Sequence, residues 1–195
     1  MNPRMKLMIA IAVALVLPTV AIADVMVTGS VTVQGSNTSG VWSFTYGPNA
    51  PQAAGFASIS PTSGTNMADV DIENTQNMSV FVIDAFQINF ESTGTFYMNV
   101  TVSSSFGGDA QLYYSASPMS LSDFTGETPS SIATTAPTPV SGSGVSAFSL
   151  TTTGTLQSAT FNIGSTSDHI YIGFYLNAGT NGGEVIHFTG TLVSA

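Results

Sequence analysis

Apolar and polar residues alternate with a period of two over much of this chain. A chain written that way buries one face of each segment only as β-strands. Between Thr95 and Ser103 the even positions Phe96, Met98, Val100 and Val102 are apolar, while Thr95, Asn99, Thr101 and Ser103 are polar. Near the end of the chain Ile186, Phe188 and Leu192 share one face; His187, Thr189 and Thr191 share the other. Residues 78–90 are apolar on both faces in their first half, as a central strand covered on two sides requires. Further strands are expected near 40–46, 54–60, 68–73, 109–115, 145–152, 155–163 and 169–176. Turn clusters such as Gly47-Pro48-Asn49, Gly107-Gly108-Asp109 and Thr180-Asn181-Gly182-Gly183 separate them. Helical periodicity is nearly absent after residue 24. The expectation is an all-β fold, an antiparallel two-sheet β-sandwich of jelly-roll type. Residues 115–146, rich in Ser, Thr and Pro, read as one long surface excursion with a single helical turn near 119–124.

Charge narrows the function. Arg4 and Lys6 are the only two cationic side chains, and they precede an apolar run from Leu7 to Leu17. Ala21-Ile22-Ala23 supplies a small-x-small cleavage site, so residues 1–23 read as a signal peptide with Asp24 as the mature terminus. The exported remainder has eleven carboxylates, two histidines and no lysine or arginine. Nucleic acid and anionic membrane surfaces are excluded as partners, because both are gripped by Lys and Arg. The absence of cysteine removes disulfides, thiolate metal sites and thiol nucleophiles. Stability must come from packing or from assembly.

The most regular alternation runs from Asp24 to Gln34. Val25, Val27, Gly29, Val31 and Val33 line one face, and a flexible connector, Gly35-Ser-Asn-Thr-Ser-Gly40, follows. This segment is either the ordinary first strand of the sandwich or a donor strand that completes the sheet of a neighbouring copy by β-augmentation. A donated strand makes a head-to-tail contact that does not close, and so grows a filament. The organisation is therefore residues 24–36 as N-terminal strand and connector, and 37–195 as the sandwich. Exported, cysteine-free, rich in Ser and Thr, with a valine-rich N-terminal strand behind a signal peptide, the chain resembles the subunits of archaeal extracellular filaments: threads, bundling pili and cannulae. The biofilm-matrix fibre proteins of bacilli are similar in design. The resemblance implies polymerisation by residues 24–34 and, for cannula-like members, calcium at subunit contacts. It also marks one departure, since a chain without lysine there forms no Lys–Asn isopeptide link.

Asp69, Asp71 and Glu73 fall on one face of a strand, with Val70 and Ile72 on the other. Same-face neighbours lie ~7 Å apart, so two of the carboxylates can converge on one Ca²⁺; the alternative is a solvated acidic edge. His169 and His187 with an acid offer a zinc alternative. Asp84 interrupts an apolar face, which points to a bulge or a local hydrogen-bonded turn rather than to a catalytic acid. No Gly-x-Ser-x-Gly elbow and no HExxH zinc motif occurs, so no catalytic residues are assigned and the chain reads as a non-enzyme. Asn37, Asn77 and Asn99 match the N-glycosylation acceptor. The leading expectation is a secreted structural subunit whose partner is itself. The alternative is a secreted carbohydrate- or cell-surface-binding module stacking sugars on Trp42, Tyr113, Tyr114, Tyr171 and Tyr175.

Overall fold

The structure, a computed structural model, describes residues 30–36, 42–49, 58–61, 67–73, 79–102, 106, 109–126, 128, 134–177 and 184–194. Among the described residues thirteen strands follow one another. The first seven are β1 (Ser30–Ser36), β2 (Trp42–Tyr46), β3 (Ser58–Pro61), β4 (Met67–Glu73), β5 (Val80–Phe90), β6 (Gly94–Val102) and β7 (Ala110–Ser115). Then come β8 (Phe124–Thr125), β9 (Thr138–Pro139), β10 (Ser146–Ser149), β11 (Gln157–Ile163), β12 (His169–Leu176) and β13 (Glu184–Val193). They form a six-stranded sheet, in the order β11-β6-β13-β4-β1-β3, and a five-stranded sheet, in the order β10-β7-β12-β5-β2. The molecule is thus a two-sheet β-sandwich, as its alternation requires. Every pairing within the two sheets is antiparallel except β1 with β3. That pair is parallel because the chain crosses to the other sheet as β2 before returning as β3, and a crossover of this kind restores strand direction.

Inward residues of both sheets interdigitate in one core. Phe96, Met98 and Val100 of β6 and Phe188 of β13 meet Trp42, Phe86, Ile88 and Phe174 from the five-stranded sheet. Trp42 stands edge-on to Phe96 at 5.6 Å, and Phe90 meets the same ring at 5.0 Å. Such aromatic pairs add roughly 0.5–1.5 kcal/mol each beyond the area they bury. A Cβ on Gly190 would lie 2.6 Å from Phe96 and 2.9 Å from Trp42, so a bare backbone at that position is what lets the pair form.

A second, smaller core lies outside the five-stranded sheet. Residues 116–126 and 134–145 fold back over it as a strap, pinned by a 3-10 turn at Leu121–Asp123 and by the short β8–β9 pair. Tyr113 and Tyr175 of the sheet are enclosed with Met119 and Phe124 of the strap, against Phe81, Ile83, Ala136 and Val145. The Ser/Thr/Pro-rich segment read as a surface excursion is therefore a roof. Its few apolar residues suffice because the sheet beneath supplies the rest.

Candidate functional site

The N-terminal strand determines what the six-stranded sheet can do. β1 is not at the sheet's edge. It runs antiparallel to β4 from Ser30 opposite Glu73 to Ser36 opposite Met67, and parallel to β3 from Thr32 opposite Ser58 to Gly35 opposite Pro61. Two rows cross the sheet through it. In the apolar row Ile59, Val33, Val70, Ile186 and Val102 stand in register, and the last two are core residues. In the polar row Ser60, Gln34, Asp69, His187 and Thr101 stand in register. A slip of one residue would exchange the two rows, so the alternation of β1 fixes its register. Of the residues assigned to a donor strand, Val31 and Val33 belong to β1; Val25, Val27 and Gly29 lie outside the described residues.

Asp69, Asp71 and Glu73 all lie on β4, an interior strand between β1 and β13 rather than an edge. Asp69 is opposite Gln34 and His187, Asp71 opposite Thr32 and Val185, and Glu73 opposite Ser30. The carboxylate geometry a calcium ion would need lies outside the described side chains. Among the described residues no three His, Cys, Asp or Glu side chains gather as a metal site. The zinc alternative fails on topology. His187 alternates with buried Ile186 and Phe188 on β13, and His169 precedes buried Ile170 on β12, so the two face outward from different sheets. Sheet spacing alone puts about 10 Å of core between them. The His169 Nδ1 atom is buried with no hydrogen-bond partner among the described residues.

Asp84 sits in the middle of β5 and is 3% exposed. Its backbone is left-handed, at φ 50°. Register passes from Val82 opposite Phe174 to Phe86 opposite Ile172, so Ile83, Asp84 and Ala85 face the single residue Gly173. Of the bulge or hydrogen-bonded turn expected from the sequence, this is the bulge, and its three carbonyls and its carboxyl all accept hydrogen bonds. Asn49 donates its backbone N–H to the Asp84 carbonyl at 3.2 Å and its side-chain amide to Ile83 at 3.0 Å, while Gly47 N–H reaches Ala85 at 2.9 Å. A Cβ on Gly47 would collide with the Asp84 carbonyl. The Asp84 carboxyl accepts the Met119 N–H with both oxygens, at 3.1 Å each. Burial pushes its pKa above the ordinary 3.8; that N–H pulls the other way, and nearby Asp123 adds to the rise. The group is a clamp on the strap.

Three of the five aromatics offered as a sugar platform are enclosed. Trp42 is 2% exposed, and Tyr113 and Tyr175 are each 0% exposed. Trp42 points into the main core; the two tyrosines face away from it but lie beneath the strap. The Tyr113 hydroxyl donates to the Pro137 carbonyl at 2.6 Å, and burial raises its pKa. Asp109 accepts the Ala136 N–H at 2.8 Å, a second clamp. Period-two reading marks such residues as outward and cannot see a roof made by the chain itself. Only Tyr114 and Tyr171 remain half-exposed. Clefts open among the described residues. One of about 360 Å³ lies beside the strap, between Asp109, Gln111, Tyr113 and Pro137. Another, about 250 Å³, lies between Ala116, Phe161, Asn162, Asp168 and His169. Asn99 is half-buried on β6, its side-chain oxygen accepting from Ser158 Oγ at 2.6 Å; Asn37 and Asn77 lie outside the described residues.

No protein-family model matches the chain, and no curated protein does. Among solved structures it has a remote likeness to one described as "CBM4 structure and function", at 13% identity and a TM-score of 0.28, over 65% of this chain and 71% of that one. No helix among the described residues is long and apolar enough to cross a membrane.

Proposed function

We propose that this chain is a non-enzymatic structural subunit of an extracellular filament or sheath, and that β1 couples one subunit to the next. The observation that carries this reading is the place of β1: the first described strand of the chain, yet interior to a sheet and paired along both sides. Without β1, β4 presents unpaired backbone along one side, and β3, which among the described residues pairs with β1 alone, loses its ladder. An identical strand from a second copy restores the same ladders and the same register rows. Self-pairing and exchange therefore differ mainly in the connector 37–41 and in the entropy of association. Exchange by an N-terminal strand is heterologous and open-ended, so it propagates.

Carbohydrate binding by an aromatic platform is the weaker reading, since Trp42, Tyr113 and Tyr175 are enclosed. Negative-stain electron microscopy of residues 24–195, beside the same chain lacking 24–36, tests the proposal. Filaments from the longer chain and none from the shorter are expected. Monomers from both would overturn strand exchange, and filaments from both would move the coupling elsewhere.

A further inference from the structure

We propose that β11 is a second, independent contact between copies: the six-stranded sheets of two molecules join across antiparallel β11 strands related by a two-fold axis at Thr160. Among the described residues β11 ends its sheet, paired with β6 alone. Edge strands are normally kept from pairing by charge, proline, bulges or brevity. Two other edges show such devices, β3 with four residues ending in Pro61 and β10 with four, and the remaining edge, β2, has five residues. β11 has seven residues without charge, glycine or proline, all in unbroken register with β6. The surrounding sequence carries no ionisable side chain from Thr128 to Ser167. In a chain with eleven carboxylates and two cationic side chains, such a stretch is where a second copy approaches against least repulsion.

The strand is also complementary to itself. About an axis at Thr160, Thr160 faces Thr160 of the second copy, Ser158 faces Asn162, and Ala159 faces Phe161. Ser158, Thr160 and Asn162 are the exposed positions, so the outward row becomes one of hydroxyls and amides, the kind of cross-strand pair that adds stability. Ala159 and Phe161 are half-buried, packed on the core from one side and open on the other. Setting the small residue against the large ring covers both. Phe161 is already held edge-on to Tyr114 at 5.9 Å, so little is left to order on pairing. The contact does not use β1, and it closes as a pair, so it joins filaments side by side rather than lengthening them.

The chain has no cysteine, which makes the test direct. In Thr160→Cys the two thiols would sit on strands whose Cα atoms are ~4.5–5.5 Å apart, within disulfide range. Air oxidation is expected to convert most of this variant to a covalent pair on non-reducing electrophoresis, whether the chain is free or in filaments. Ser167→Cys, equally exposed but beyond β11, should give none. In Thr160→Lys two ammonium groups would face each other, and self-association by sedimentation should weaken at least tenfold with the melting temperature of the dilute chain unchanged; Thr160→Ser should retain pairing. No excess of disulfide in Thr160→Cys over Ser167→Cys would overturn the proposal, as would an unaltered association constant in Thr160→Lys. Deleting residues 24–36 should leave the Thr160→Cys disulfide intact, so the two contacts can fail separately.

Discussion

Asp84 shows how one residue can be costly and still required. A left-handed backbone costs little for Asp or Asn and more for a branched residue. The buried carboxyl ties β5 to the strap through Met119. Its proton is held to higher pH in the folded chain than in the unfolded one. This group's contribution therefore favours folding fully below about pH 3.8, declines as pH rises through the raised value, and is flat above it. Asp84→Asn keeps an acceptor for the Met119 N–H and tolerates the backbone. It should lose this slope and be at least as stable as the parent at neutral pH, as urea titrations from pH 3 to 8 would show. Asp84→Ala strands that N–H and should cost ~1–3 kcal/mol at pH 7. Tyr113→Phe, which leaves the Pro137 carbonyl without its donor, should cost about 0.5–1.5 kcal/mol. Gly190→Ala pushes a methyl group into the Trp42–Phe96 pair and should cost ~1–3 kcal/mol, with a change in tryptophan fluorescence.

At the scale of elements, alternation located the strands well and the connections less well. β6 and β13 lie where Phe96–Val102 and Ile186–Leu192 alternate, because half-burial imposes the same rule on sequence and structure, and β12 lies at the expected 169–176 although it is covered on both faces. The bulge in β5 is invisible to periodicity for a geometric reason. Three residues opposite one insert two extra positions, and two extra positions leave the phase unchanged: Val80 and Val82 before it and Phe86 and Ile88 after it all face the core. Only the carboxylate gave it away. The strap was illegible because its burial is a property of Tyr113 and Tyr175 beneath it, not of its own composition. The place of β1 in the sheet order was equally hidden, since alternation tells which face a strand buries and never which neighbours it has. The connector 37–41 then controls its fate. A short hinge disfavours folding back onto the same chain, so inserting four Gly/Ser residues there should shift the balance toward self-paired monomers, read as a fall in filament mass by sedimentation.

The whole molecule has three layers: the strap, the five-stranded sheet and the six-stranded sheet. One broad face is roofed, and the other presents half-buried Asn99, Thr101, His187 and Thr189 from β6 and β13. Electrostatics work against any assembly of such subunits, because eleven carboxylates accompany only Arg4 and Lys6. Polymerisation should therefore quicken when salt is raised from about 10 to 150 mM, which shortens the Debye length from ~30 to ~8 Å, and calcium should act at lower concentration than sodium. Light scattering across both series checks this, and indifference to both ions would remove the carboxylates from the account. The ladder between β1 and β4 has one more consequence. Its hydrogen bonds lie perpendicular to the strand, seven residue pairs side by side. Tension applied along β1 loads all of them at once, in shear, whereas tension across it would unzip them one by one. A tether built this way is strong in the direction of its own axis and weak in every other.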